Sequence, residues 1–206
     1  IEKEQGLLII MGTAICGGSA IAALAPVILA SSASVAMAMG VVFLLNALAV
    51  FIFPPMGELL HMAQDQFGIF AALAIHDTSS VVAAGSIYGS KALEVATMVK
   101  LTRALWIIPI TLIFSFRMKK SEKGKVNFPK FMIGFLALSL LFTLVEDLAP
   151  LRPYLKIISK LGLAITLGLI GLSLNFQSLK KFGPKVFFFA VSLWLFTIIN
   201  ALTIVK

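Results

Sequence analysis

Apolar residues run through this chain in long continuous stretches, separated by short polar breaks. Seven stretches predict membrane-crossing helices: residues 6–30, 34–53, 67–89, 93–116, 131–148, 157–176 and 186–205. Each approaches the roughly 20 helical residues that cross about 30 Å of hydrocarbon. The second is expected to stop at Pro54-Pro55. The runs do not alternate with period two, so a strand barrel fits poorly. The predicted fold class is all-α, a polytopic membrane helix bundle forming one transmembrane domain over 1–206.

Composition sharpens this. Of 206 residues, 60% are apolar and 13% charged, against about 45–50% and about 25% in soluble domains. Mean hydropathy is +1.04. So much apolar surface cannot be hidden in one water-soluble core of this size. The balance of 17 Lys+Arg over 9 Asp+Glu, net +8, then describes cationic loops facing anionic lipid rather than a nucleic-acid partner. Cys16 is the only cysteine, which excludes an internal disulfide and a cysteine zinc site. No metal or cofactor is expected. The chain opens at Ile1 without a charged n-region, short apolar core and cleavage site, so no signal peptide is expected. It reads as the C-terminal portion of a longer protein.

Lys and Arg in short loops orient the spans. Arg117, Lys119, Lys120, Lys123, Lys125 and Lys130 follow the fourth span, and Lys180, Lys181 and Lys185 follow the sixth. Both loops are predicted cytoplasmic in a bacterial inner membrane. Seven spans then put the N-terminus of the chain inside and Lys206 outside. The loop 54–66 should also be inside, yet it carries no Lys or Arg.

Polar residues within spans are where function concentrates. The first span contains Gly12-Thr13-Ala14-Ile15-Cys16-Gly17-Gly18-Ser19-Ala20. Unwinding at Gly17-Gly18 would free N–H groups at the start of a half-helix, an anion site to which Cys16 and Ser19 add side chains. The alternative is a small-residue packing face, since Gly12/Cys16 and Ala14/Gly18 have i, i+4 spacing. The third span carries His76-Asp77-Thr78-Ser79-Ser80 at its centre. Thr78, Ser79 and Ser80 can donate to an anion, while His76 and Asp77 can gate it or carry a proton or Na+. The alternative is an inter-helix hydrogen-bond knot or a helix cap, for which Asp77 or Thr78 suits.

Lys100 and Arg103 share a face of the fourth span. They form either a cationic wall for an anion or side chains that snorkel or pair with a neighbouring carboxylate. Asn46 and Asn175 are secondary candidates that otherwise cross-link helices. No enzyme is expected: adjacent His76, Asp77 and Ser79 cannot form a triad, and no G-x-S-x-G string occurs. No G-x-x-x-x-G-K-[ST] string occurs either, which points to secondary rather than ATP-driven transport. Gly162, Gly168 and Gly171 make the sixth span a second glycine-interrupted helix, as an inverted-repeat transporter has.

At the strings Gly12–Ala23, His76–Gly85 and Lys100-Leu101-Thr102-Arg103, the sequence resembles the UPF0324/YeiH family of sulfate exporters. The resemblance covers essentially the whole chain and about the C-terminal two thirds of the family pattern. That family is distantly similar to bile acid:sodium symporters and sodium/proton antiporters. The resemblance implies an inverted-repeat bundle with discontinuous crossing helices. Some members read Glu-Val-Ala-Gln where this chain has Asp77-Thr78-Ser79-Ser80, which keeps a carboxylate but changes the neutral donors. The expected function is alternating-access export of a small anion such as sulfate, coupled to H+ or Na+, with lipid and a small anionic solute as partners and a homodimer compatible. An anion channel or a non-transporting membrane scaffold is the alternative.

Overall fold

A computed structural model describes residues 1–117 and 184–206, with isolated positions between 137 and 165. The described residues contain helices and no strand. Their order is α1 (Lys3–Met11), a π-helical turn (Gly12–Cys16), α2 (Gly17–Leu24), α3 (Ser32–Leu59), α4 (Gln64–Ala74), α5 (Thr78–Tyr88), α6 (Ser90–Ala104), α7 (Ile107–Arg117) and α8 (Pro184–Val205). Most of the expected fifth and sixth spans, the basic loops 118–130 and 177–183, and Asn175 lie outside the described residues.

By length and composition, four stretches suffice to cross a membrane: Lys3–Leu24, Ser32–Leu59, Ser90–Phe116 and Pro184–Val205. The contacts decide which of them cross. α3 has 28 residues, about 42 Å long, and serves as the ruler. Near its start, Glu4 Oε2 accepts from Ser31 N–H at 3.1 Å, and Ser34 Oγ donates to Glu2 Oε2 at 3.4 Å. The beginning of α1 and the beginning of α3 therefore share one end of the molecule.

A straight run through α2 cannot satisfy that. It would leave residue 24 about 12 Å past the break and some 33 Å from the start of α1. The seven residues to Ser31 reach about 25 Å at most. The chain instead reverses at Cys16-Gly17, and α2 returns alongside α1. A Cβ on Gly12 would stand 3.0 Å from Ile21 Cδ1 across this hairpin.

The predicted third span corrects in the same way. It is two helices of 11 residues each, about 16 Å apiece, half the hydrocarbon thickness. They are separated by extended backbone at Ile75 and Asp77. Phe67 stacks on Tyr88 at 3.8 Å, Tyr88 Oη donates to Met62 O at 2.6 Å, and Lys91 N–H donates to Gln64 Oε1 at 3.0 Å. The start of α4 thus meets the end of α5, and the pair forms a second hairpin at the opposite end of α3, beside Gly57. His76 is outside any helix, so it does not share a helical face with Ser80.

Two boundaries also differ from expectation. α3 continues through Pro54 and Pro55 to Leu59. Each proline there removes a ladder bond and crowds the carbonyl four residues back, yet the helix continues, its last turn held by Gly57 packed on Phe67 and Tyr88. The fourth span is interrupted at Leu105–Trp106, between α6 and α7. Pro109 explains this: it has no N–H for the Leu105 carbonyl, and its ring crowds that carbonyl.

α6 lies along both α4 and α5, and α7 continues beside α2. α8 runs alongside α4 and ends where Gln66 Nε2 donates to Val205 O at 2.9 Å. The core is built from Leu8, Ile21, Val42, Leu45, Phe53, Phe70 and Ile75, where the two hairpins press against α3.

Candidate functional site

The two hairpin tips meet halfway along α3. Gly17 has φ 46°, and a Cβ there would lie 3.2 Å from His76 C and O. Cys16 Sγ and Thr78 Oγ1 lie 3.4 Å apart, either able to donate. Asn46, in the middle of α3, accepts the His76 N–H at 2.9 Å through Oδ1. On the same face Phe43 stands against Gly18. The glycine break and the His76–Ser80 cluster, 60 residues apart in the chain, therefore form one locus.

Four helix ends converge here, and each has a different solution to its unpaired backbone groups. α5 begins with Asp77 as N-cap: Oδ2 accepts the Ser79 N–H at 3.0 Å and also accepts from Ser79 Oγ. α2 begins at Gly17 with Cys16 preceding it, and no side chain caps it. At the two C-terminal ends side chains take up carbonyls. Arg103 Nη1 donates to Ala72 O at 2.6 Å and Leu73 O at 2.9 Å, and Nη2 donates to Thr13 O at 3.1 Å and Ala14 O at 2.7 Å. Lys100 Nζ donates to Ile75 O at 2.7 Å, and Trp194 Nε1 donates to Ala74 O at 3.0 Å.

Electrostatically this is orderly. Two negative helix ends face two cationic side chains, and the positive helix ends are left beside a single carboxylate. Lys100 and Arg103 neither snorkel nor meet a carboxylate among the described residues. Lys100 is 0% exposed, and its ammonium serves a backbone carbonyl. Arg103 joins both hairpins through one guanidinium, a use of its rigid fork that Lys could not reproduce. Ser19, Asp77, Thr78 and Ser79 are part-exposed, whereas Ser80 is buried. The pattern of the sequence gives no sign of Trp194. A tryptophan inside an apolar helix reads as packing until the carbonyl it serves is located.

The backbone at Gly17 makes a direct prediction. A positive φ and a neighbour at 3.2 Å leave no relaxed place for a methyl group. Gly17→Ala is expected to destabilise the full-length protein by about 1–3 kcal/mol. Gly6→Ala, at a helical site where a Cβ would meet only Ile1 Cγ2 at an ordinary 3.8 Å, should be neutral or stabilise by about 0.5–1 kcal/mol. Thermal unfolding in detergent compares the two. Equal midpoints would show that the tip contact is not tight.

Comparison with known proteins agrees with this architecture in its coarse features. The family described as Conserved hypothetical protein 698 matches residues 1–190. A UPF0324 membrane protein of Bdellovibrio bacteriovorus is 49% identical over 95% of this chain and 62% of its own length. One from Porphyromonas gingivalis is 44% identical over 100% of this chain and 63% of its own length. One from Geobacter sulfurreducens is 44% identical over 96% and 63%, respectively. The chain therefore spans somewhat under two thirds of the length of these relatives. No solved structure matches it significantly. With the family match running from residue 1 to 190, and both hairpin tips inside it, the chain belongs to the UPF0324 family of membrane proteins.

Proposed function

We propose that the two hairpins are the substrate-carrying core of a secondary transporter for small anions, working by alternating access. One observation carries this reading. Two half-helices, α2 and α5, begin beside each other halfway along α3, which this reading sets at mid-membrane depth, with N–H groups and the hydroxyls of Ser19, Thr78 and Ser80 in their first turns. Irregular backbone at that depth is tolerated only where protein or a wet cavity satisfies it, and paired half-helix N-termini suit an anion. The carbonyl ends are already occupied by Lys100, Arg103 and Trp194, so the amide ends are the ones free to exchange a ligand.

In this reading the hairpins enter from opposite faces of the membrane as an inverted pair. A solute held between their tips is reached by water from either side as the core shifts against the other helices. Asp77 sits at the α5 N-terminus and competes with an incoming anion for the same amides. Taking up H+ or Na+ at Asp77 removes that competition, which couples the two movements. Sulfate is the first anion to try, because it is doubly charged and offers four acceptor oxygens.

The test is uptake into proteoliposomes by the full-length protein, with sulfate and organic acids, with and without Na+ and a pH gradient. Losing one hydrogen bond to a charged group is worth about 1.5–3 kcal/mol, so Ser19→Ala should lower uptake about tenfold or more. Asp77→Asn should remove the dependence on the coupling gradient. Wild-type uptake in both variants for every anion would refute the site. Conductance without any coupling would identify a channel instead.

A further inference from the structure

Asn46 and His76 have more hydrogen-bonding capacity than their surroundings use. They are 2% and 1% exposed. Asn46 Oδ1 accepts the His76 N–H at 2.9 Å and the Asp77 N–H at 3.4 Å, and it lies 3.2 Å from His76 Nδ1. A backbone N–H can only donate, so the amide of Asn46 is oriented with its oxygen toward the tip. Nδ1, facing that same oxygen, must then carry the ring hydrogen. This leaves Nε2 as a bare lone pair. Among the described residues, neither Nε2 nor the two hydrogens on Asn46 Nδ2 has a partner. Each such group left unmet in a buried site costs about 1–3 kcal/mol.

These groups belong to the junction of the two half-helices. Phe43 and Asn46 are one turn apart on α3; the first touches Gly18 of α2, and the second holds the two residues before α5. A bare anion needs only donors, which the first turns of α2 and α5 supply. It has nothing to give to Nε2. A hydroxyl supplies what the ring lacks, since its hydrogen can go to His76 Nε2.

We infer that His76, its ring oriented by Asn46, reads a hydroxyl through Nε2, so that the preferred ligand is a small anion that also bears an O–H. This rests on the anion reading above and narrows it to hydroxylated organic acids, hydroxylated sulfonates and protonated oxyanions. The anionic end lies with the amides of α2 and α5, and the hydroxyl end with the ring of His76.

Two matched ligand pairs test this on the full-length protein in detergent: glycolate against acetate, and isethionate against ethanesulfonate. Each pair differs by a hydroxyl at equal charge. Titration calorimetry should show the hydroxylated member binding at least about tenfold more tightly, as sites built around a substrate hydroxyl discriminate. The wild-type ratio requires no variant. His76→Phe, where it folds, should bring the ratio close to one. Measurable binding of all four ligands with a wild-type ratio near one overturns this inference and leaves the anion reading standing. A preference retained in His76→Phe assigns the hydroxyl elsewhere and also overturns it. If none of the four binds, both readings fall.

Discussion

Arg103→Met in the full-length protein is expected to produce the largest loss of stability of any single substitution in α6. The guanidinium donates to four carbonyls, two at the end of α4 and two in the π-helical turn after α1. Water cannot replace those bonds in the middle of a bilayer, and each hydrogen bond to a charged group is worth about 1.5–3 kcal/mol. A net cost of at least about 3 kcal/mol allows for partial relaxation. For 150–250 residues that corresponds to about 6–12 °C in the thermal midpoint, and the longer full-length protein should shift by less, still by several degrees. Arg103→Lys keeps the charge but cannot span both hairpins, so it should fall in between. Thr102→Ala, on the exposed side of the same turn, is the control and should stay within about 0.5 kcal/mol. A midpoint for Arg103→Met within 1 °C or so of wild type would mean that the two tips are not tied through this side chain.

The second large effect is all-or-none. The hairpins change which ends of the chain share a side of the membrane. Ser31 lies beside Glu4, whereas Ala63, at the start of α4, lies at the other end of α3. α6 and α7 then run back toward the Ser31 end, where the basic stretch after Arg117 begins. With that stretch cytoplasmic, as the positive-inside rule has it, the expected result is that Ser31 and the start of α1 are reached from the cytoplasm and the loop 54–66 from outside. The same rule had placed that loop inside when every apolar stretch was counted as a crossing, and its lack of Lys and Arg stood out. Two reversals cancel in the count. The N-terminal side is therefore unchanged, and only the segments between the hairpins move.

Cys16 is the only cysteine in these 206 residues, so Cys16→Ser, with any cysteine elsewhere in the full-length protein also replaced, provides the background for single-cysteine labelling. An impermeant maleimide on intact cells should reach Ala63→Cys, and reach Ser31→Cys and Lys3→Cys only after permeabilisation. Labelling of Ser31→Cys and Lys3→Cys from opposite sides would restore a crossing first helix and remove the tip-to-tip site with it.

Hydropathy and residue type reached a good part of this. The apolar runs coincide with the helices α3, α6–α7 and α8, except that α3 runs six residues past its expected end at the two prolines. Gly17-Gly18 marked a backbone interruption because two adjacent glycines in a membrane helix need a reason. Asp77 was legible as a cap, since its carboxylate can accept from the N–H groups that follow it. His76–Ser80 was legible as a polar cluster that would not face lipid.

What was not legible is reversal. A continuous run of apolar residues reads the same whether its second half proceeds to the far face or turns back, because lipid and protein interior favour the same side chains. Nor does periodicity show that Lys100 and Arg103 end on carbonyls, since their partners are backbone groups that every residue carries. The sequence by itself determined that this chain is helical, membrane-embedded and carries polar residues inside two of its apolar runs. Only the tertiary structure decided that the two breaks are one place, because bringing residue 17 against residue 76 depends on two hairpins of matched depth resting on a single long helix, and depth is a property of how the chain folds back.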